Sequence, residues 1–210
     1  MTTGLYGGVS AEQRQATRRR QLLGAAYDLL GTDGWQKTTV RAVCRRAELT
    51  PRYFYESFDD LDALVVAVFD GIVAELSAVV LTAVAGPPEN AHEKARAAIG
   101  GFIHHVTDDP RRMQIVFSEA LGSEPLARRR FETLHSFARL ISEQGQAFYG
   151  IRSSPRLADT TAYLLAGGLA ELLLAWRDGT IKSSVDELIE DCTALFLSLI
   201  HISEPTRQAE

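Results

Sequence analysis

The stretch AELTPRYFYESF, residues 47–58, concentrates side chains that can contact a nucleic acid. Arg52 carries a planar guanidinium, which fits the edge of a guanine or a phosphate group. Tyr53 and Tyr55 each offer a hydroxyl group to a phosphate or a ring to the methyl group of thymine. The pattern predicts contact with nucleic acid; the alternative is a packed helical corner without a ligand.

Two short helices around a tight link would hold these side chains. Thr39 can cap a helix over about 40–47, and Thr50 can cap the next one. Pro51 then takes the first helical position, where its missing N–H group costs nothing. Because the link AELT is short, the pair predicts a helix-turn-helix arrangement, whose second helix can enter a major groove.

The charge of the chain is divided at the same place. Residues 1–58 hold nine Lys and Arg against five Asp and Glu, so their net charge is +4, while the rest carries −9 and the whole chain −5. A basic unit on an acidic body indicates that only the first part meets a polyanion. The two cysteines are far apart and lie in no CxxC pattern, which predicts neither a disulfide framework nor a zinc site.

Almost every segment has a helical period, so we expect an all-α fold of about nine helices. Residues 12–66 are predicted to form a three-helix DNA-binding helix-turn-helix unit, and 67–202 a helical body. The predicted helices cover about 12–32, 40–47, 50–57, 60–84, 91–107, 110–121, 124–150, 155–178 and 184–202.

The N-terminal pattern resembles that of the TetR family of bacterial transcriptional regulators. The resemblance covers about residues 15–66, and beyond that only helix number and length agree. The matching positions are Thr39, Val43-Cys44, Ala47, Leu49-Thr50, Phe54-Tyr55, Phe58, Asp62 and Leu64.

Three positions depart from the family pattern. Glu48 stands where the family prefers glycine in the turn, and a positive φ there would cost on the order of 1 kcal/mol. Arg52 replaces another frequent glycine and adds a possible base reader. Leu61 replaces the usual lysine at the start of the fourth helix, so a phosphate contact is expected to be missing.

The resemblance implies a homodimer that lays helix 50–57 in the major groove of a palindromic double-stranded operator. Arg52, Tyr53 and Pro51 are expected to read bases, and the others to position the helix on phosphates. The full predicted DNA-contact set is Lys37, Thr39, Arg41, Thr50, Pro51, Arg52, Tyr53 and Tyr55.

The resemblance also implies that the body binds a small-molecule effector. Few of the candidate contact residues are charged, so we expect a mostly apolar effector. The predicted ligand contacts are Phe102, His105, Met113, Phe117, Phe137, Ile141, Tyr163 and Trp176, and their alternative role is ordinary core packing. Dimerisation is expected through the last two helices, where adjacent glycines in a helix interior suggest close helix contact. The predicted interface residues are Gly167, Gly168, Leu172, Leu188, Cys192, Leu195 and Phe196.

No catalytic constellation, cofactor motif or metal site is predicted. His104 with Asp108, and His105 with Asp109, are each four residues apart and could share a helix face, but two ligands do not make a metal site. Without a secretory signal or an apolar run judged long enough for a bilayer, we expect a cytoplasmic protein without membrane contact. The rival interpretation is an all-α small-molecule carrier or enzyme on the same fold that has lost DNA binding. The departures from the family pattern at Glu48 and Leu61 suggest it.

The C-terminal residues are suspect. The eleven residues LSLIHISEPTR, from Leu197 to Arg207, equal the translation of the DNA adapter of a common transposase sequencing library. We therefore expect residues 197–210 to be an adapter artefact that overlaps the last helix, with the native end unknown beyond about Phe196. Resequencing that joined these codons to genuine downstream genome would contradict this.

Overall fold

The computed structural model describes residues 10–85, 90–149 and 154–202. Within these ranges the chain forms nine helices and no strand, which confirms the all-α prediction. The helices are α1 (Ala11–Thr32), α2 (Val40–Arg46), α3 (Pro51–Tyr55), α4 (Leu61–Ala85), α5 (Ala91–Thr107), α6 (residues 110–122), α7 (Glu124–Tyr149), α8 (Pro155–Arg177) and α9 (Val185–Ile202).

The three N-terminal helices are stabilised by local caps and by packing of their apolar faces against one another. Ser10 and Gln13 make a reciprocal capping box at the start of α1. The Thr39 hydroxyl oxygen accepts from the Ala42 amide at 3.1 Å, as predicted. The largest side chains buried between these helices are Leu22, Leu30, Val43 and Phe54.

The predicted Thr50 cap needs a correction. Its backbone is extended as an N-cap requires, but its side chain makes no capping hydrogen bond. The Tyr53 amide donates instead to the Thr50 carbonyl at 3.0 Å. Since Pro51 has no N–H group, α3 begins with one fewer amide that needs a partner.

Helix α4 connects the N-terminal unit to the body. One of its faces is buried along most of its length, with Leu64, Val65, Val68, Phe69, Ile72 and Leu76 in the core, whereas Leu61 is only partly buried. The remaining helices pack around it: α5 runs beside α4, α7 pairs with α8, and α9 packs on α5.

Two helices, α4 and α8, are long and apolar enough to cross a bilayer by length and composition. The prediction that no such run exists was therefore wrong, because it counted single charged residues as interruptions. More of the apolar window is buried in α4 than in α8, 39% against 22%.

Helix α6 is irregular where the sequence predicted one regular helix. It begins at Asp109, whose carboxylate accepts from the Arg111 amide, and runs as α-helix over Pro110–Met113. Residues Gln114–Glu119 then form a π-helical segment before Ala120–Gly122 close the helix. Such segments often occur at functional sites. At the other end of the body, α9 includes residues 197–202 of the suspect segment, and 203–210 lie outside the described residues.

Candidate DNA-contact surface and ligand cavity

The turn between α2 and α3 is tight and strained at one residue. Glu48 has a φ of 56°, the one positive φ of a non-glycine residue in the described ranges. The Leu49 amide closes the turn by donating to the Cys44 carbonyl at 2.9 Å. The strain expected where this chain has glutamate in place of glycine is therefore present.

The outer face of α3 presents two of the predicted contacts freely. The side chain of Arg52 is 84% exposed, and Tyr55 is exposed beside it. Glu56, one turn after Arg52, accepts from the Arg52 Nε at 3.1 Å and also pairs with Arg18 of α1 at 3.4 Å. The carboxylate of Glu56 therefore orients Arg52 and reduces the positive charge of this face.

Tyr53 differs from its prediction as an outward residue. It is half-buried, and the guanidinium carbon of Arg18 lies 4.3 Å from the centre of its ring. Arg19 similarly covers Phe58, at 4.1 Å, and donates to the Ser57 carbonyl. Sequence reasoning missed Arg18 and Arg19, since helical spacing alone does not show that α1 crosses α3 at this point.

The other predicted DNA contacts belong to the same N-terminal unit. They are exposed at the start of α2 and α3 or in the segment before α2: Lys37, Thr39, Arg41, Thr50 and Pro51. With Arg18 and Arg19 they give this surface a net positive charge, which suits a phosphate backbone.

A cavity of about 150 Å³ lies in the body, between α4, α5, α6, α7, α8 and α9. Four of the eight predicted ligand residues line it: Phe102, Phe117, Phe137 and Ile141. The wall is almost entirely apolar, and its side chains include five phenylalanines, with Phe69 and Phe196 added to those predicted.

The other four predicted ligand residues lie elsewhere and are corrected. Met113 is buried away from the cavity, and His105 faces Glu75 of α4 at 3.8 Å. Tyr163 is exposed and contacts His135 edge-on, while the Trp176 indole donates to the Ser183 carbonyl at 2.8 Å. All four belong to amphipathic helices, and the periodicity of a helix does not tell which inward side chains line a void and which pack.

Three polar side chains line the cavity, all from α7, and sequence reasoning missed them. They are Arg130, Thr133 and Gln144. In the sequence Arg130 belongs to the run RRR, which looks like a solvated face. The helical spacing of Leu134, Phe137 and Ile141 from Arg130 was the signal that could have placed it on the inner face.

The π-helical segment of α6 joins the cavity to the N-terminal unit. Val116 and Phe117 line the cavity. Two residues further, the Glu119 carboxylate accepts from the Trp35 amide at 2.6 Å, next to the loop that leads into α2. At the other end of α6, Asp109 accepts from the Tyr27 hydroxyl at 2.7 Å and Arg111 pairs with Asp28 at 2.6 Å.

The electrostatics of this junction follow from its contacts. The hydrogen bonds from the Arg111 guanidinium hold the pKa of the Asp109 carboxyl well below its usual range. Burial and the bond to Asp109 raise the pKa of Tyr27 to about 12. Both groups thus keep their ordinary neutral-pH forms, a carboxylate accepting from a phenol.

His104 and His105 of α5 do not gather metal ligands. His104 lies 3.8 Å from Asp108 at the surface, and Asp109 turns away from His105 to cap α6. Burial lowers the pKa of His105, whose Nε2 makes no hydrogen bond. No cluster of three or more candidate ligands occurs among the described residues.

The predicted dimer residues divide into two groups. Leu188 and Cys192 are buried against their own chain, so little of either side chain is left for a partner. Leu172 is partly buried against the core, and Phe196 lines the cavity. Leu195 is exposed, and in this chain nothing lies within 4 Å of a Cβ added at Gly167 or Gly168. The exposed surface of α8 also includes Leu157, Tyr163 and Leu164, which the sequence analysis did not assign to an interface.

Residues 22–68 match the family described as "Bacterial regulatory proteins, tetR family". None of the curated proteins matches the chain. The matched range contains α2, α3, the second half of α1 and the start of α4, so it includes every predicted DNA contact but not Arg18 and Arg19.

Solved structures resemble the chain over most of its length. A putative TetR-family regulator from Syntrophomonas wolfei is 15% identical with a TM-score of 0.74, covering 89% of this chain and 96% of its own. The fatty acid degradation regulator FadR from Bacillus halodurans is 17% identical with a TM-score of 0.69, covering 85% and 97%. A TetR-like regulator from Rhodococcus sp. RHA1 is 19% identical with a TM-score of 0.64, covering 89% and 94%.

The resemblance predicted from the sequence is thus confirmed: residues 22–68 match the TetR family of bacterial regulatory proteins, and the described chain has the fold of TetR-family transcriptional regulators.

Proposed function

We propose that this protein is a ligand-responsive transcriptional regulator, a repressor that binds a palindromic operator as a homodimer and is released by a small, mostly apolar effector. The observation that carries the proposal is the exposed face of α3, with Arg52 and Tyr55, in a unit of the TetR family. No cofactor enters the proposal, and the protein would act in the cytoplasm, where its operator is.

Recognition of DNA would be divided between bases and phosphates. Arg52 would leave Glu56 for the acceptors of a guanine, because two hydrogen bonds from a guanidinium fit that edge. Tyr55 would contact a base or a phosphate next to it. The exposed Lys37, Thr39 and Arg41 would fix the orientation of α3 on the backbone.

Dimerisation would use α8 and α9. Helix α8 is apolar along its length, yet much of it is exposed in the single chain. Leu164 of α8 and Leu195 of α9 are exposed, and Gly167 and Gly168 would let a second helix approach closely. Two such helices from each subunit would form a four-helix interface, and a two-fold axis would give two half-sites about one helical turn apart.

The effector signal would travel through α6 and α4. A ligand against Phe117 would shift the π-helical segment, and Glu119 would carry that shift to the backbone at Trp35. Helix α4 lines the same cavity and leads directly from α3. The ligand can change the DNA-bound population only as far as its affinity for the two conformers differs.

Fluorescence anisotropy of the purified protein on its own upstream intergenic DNA tests the DNA-binding proposal, with a scrambled duplex beside it at two salt concentrations. We expect preferential binding to the upstream DNA, with an affinity that falls steeply as salt rises. Equal affinity for both duplexes at both salt concentrations would contradict the proposal.

An alternative is a small-molecule carrier or enzyme on the same fold. The observation in its favour is Glu56, whose carboxylate contacts both Arg52 and Arg18 and lowers the positive charge of the α3 face. Salt-independent absence of DNA binding, together with turnover of a bound hydrophobic compound, would favour this alternative.

A further inference from the structure

We propose that the cavity in the body holds an unbranched alkyl chain with one anionic head group, which the guanidinium of Arg130 binds. The inference rests on the proposed effector response and names the chemical class of the effector. It follows from the length of the cavity, its narrowness and the position of its one charged lining residue.

The cavity is long. On α4 the lining residues extend from Phe69 to Val84, and on α7 from Arg130 to Gln144. At 1.5 Å of rise per residue, each helix follows the cavity for roughly 20 Å. The ion pair between Arg129 and Asp70, the neighbours of Arg130 and Phe69, shows that the two stretches begin side by side.

The cavity is also narrow. Its volume of about 150 Å³ is spread along that length, whereas pockets for drug-sized ligands hold roughly 300–1,000 Å³. A bulky ring system would have to displace the phenylalanines of the wall. An extended hydrocarbon chain, by contrast, fills a slender apolar space and contacts side chains along its whole length.

The polar groups lie near the ends. Arg130 and Thr133 share one end of α7, and Gln144 lies at the other, with Leu134, Phe137 and Ile141 between them. The Thr133 hydroxyl already donates to the Arg129 carbonyl, so it offers a ligand its lone pairs only. Arg130 is therefore the one charged donor of the lining, and it selects an acceptor group.

Arg130 can bind an anion at little energetic cost, because its present ion pair is weak. Its Nη2 pairs with Glu171 at 3.2 Å, and Glu171 is largely exposed, so solvent screens this pair. A guanidinium has five N–H donors and stays charged at any physiological pH. A carboxylate in the cavity would find hydrogen bonds from a fixed charge at the Arg130 end only.

The test is isothermal titration of the full chain with straight-chain carboxylates, below their micelle concentrations. Octanoate, dodecanoate and hexadecanoate serve as probes, with dodecanol for the head group and adamantane carboxylate for the shape. We expect the affinity to rise about two- to fourfold per added methylene group until the chain fills the cavity, and then to level off. Binding that is independent of chain length, or tightest for the adamantane compound, would overturn the proposal.

Two charge variants separate the head group from the chain. Arg130→Met should weaken dodecanoate about tenfold and leave dodecanol unchanged, because a hydrogen bond to a charged group is lost. Arg128→Met is the matched control, since Arg128 lies on the same helix outside the cavity. If Arg130→Met and Arg128→Met behave alike towards dodecanoate, Arg130 is not the head-group site.

A filled cavity checks the location. Ala166→Phe adds a ring to the lining and should weaken dodecanoate and dodecanol together, with the helical circular dichroism unchanged. Unchanged affinity for both in a folded variant would overturn the proposal. DNA binding of the ligand-free protein is measured in parallel: if it persists while no alkyl carboxylate binds, this inference fails and the proposed regulator stands.

Discussion

The backbone of Glu48, in the turn of the helix-turn-helix, has an unfavourable φ angle. Its φ of 56° lies in the left-handed region, where an L-residue other than glycine is disfavoured by roughly 1–2 kcal/mol. The neighbouring hydrogen bonds, from Ala47 to the Val43 carbonyl and from Leu49 to the Cys44 carbonyl, hold it there. The turn between α2 and α3 thus stores strain directly beside the DNA-contact surface.

Glu48→Gly should stabilise the protein by about 0.5–1 kcal/mol. The gain is the relief of the left-handed backbone, reduced by the larger entropy that glycine has in the unfolded chain. Urea denaturation gives the free energy of unfolding. Glu48→Ala removes the same charge without relieving the backbone, so a similar gain in both variants would show that charge, not φ, is responsible.

Asp109→Asn probes the junction through its pH dependence. Asparagine keeps the N-cap of α6 but loses the charge that Arg111 stabilises. The pKa of Asp109 is lowered in the folded protein, so its stabilising contribution is fully present above the unfolded value of about 4 and is lost as the pH falls below it. We expect the variant to be less stable than the wild type at pH 7 and the difference to shrink by pH 3. A difference that is constant with pH would contradict this role.

Several site residues could be predicted from the sequence, and others could not. Thr39 is a cap because its partner, the Ala42 amide, is three residues away. The cover of Tyr53 by Arg18 depends on a contact between distant helices, which no local pattern contains. Contacts between residues close in sequence could therefore be predicted, whereas the crossing of α1 over α3 could not.

At the scale of elements, α1 and α6 cross at Gly31. A Cβ placed there would lie 2.4 Å from the Arg111 Cβ and 3.1 Å from its Cα. The absence of a side chain thus sets the distance between the N-terminal unit and the helix that lines the cavity. The same crossing carries the Tyr27–Asp109 and Asp28–Arg111 bonds.

Gly31→Ala should destabilise the protein by about 1–3 kcal/mol, since the two helices must separate to admit a methyl group. Gly24→Ala is the control on the same helix, where nothing lies within 4 Å of an added Cβ. It should stabilise by about 0.5–1 kcal/mol through helix propensity alone. Thermal unfolding of both variants decides, and a gain in both would mean that α1 and α6 are not tightly packed.

The order and approximate bounds of the nine helices followed from apolar periodicity, caps and Pro or Gly breaks. The π-helical segment Gln114–Glu119 did not, because its sequence has an ordinary apolar pattern. Its residues contact parts of the molecule that are distant in sequence. Glu119 accepts from the Trp35 amide, Gln114 accepts from Arg177, and Val116 lines the cavity. Such an irregularity is a property of the packing and not of the segment.

For the whole molecule, the exposed apolar face of α8 requires a partner if the protein is to bind a two-fold operator. Leu164→Glu places a charge on this face, where the leucine is 61% exposed in the single chain. Wild type should sediment at about twice the chain mass of 23.1 kDa, and the variant as a monomer. Leu81→Glu is the control, since Leu81 is 47% exposed on α4. If Leu164→Glu remains dimeric, the interface lies elsewhere.

The class of molecule could be predicted from the length of the chain, the division of its charge and the number of its helices. The lining of the cavity could not, because it depends on the three-dimensional packing. Half of the predicted ligand residues lie away from the cavity, as Met113 does in the core, and Arg130 lines it instead. The difference depends on how six helices meet, because the same inward side chain fills space at one crossing and borders a void at another. The exposed surface of α3 was therefore more predictable than the lining of the cavity.

The most direct test of the account is anisotropy of Arg52→Ala on the upstream DNA that the wild type prefers. Arg128→Ala is the matched control, because Arg128 is also largely exposed and paired with a glutamate one turn away on its helix. The account predicts that Arg52→Ala loses about tenfold or more in affinity for this DNA and relaxes its preference over the scrambled duplex, while Arg128→Ala matches the wild type. Equal behaviour of the two variants would contradict recognition of DNA by α3.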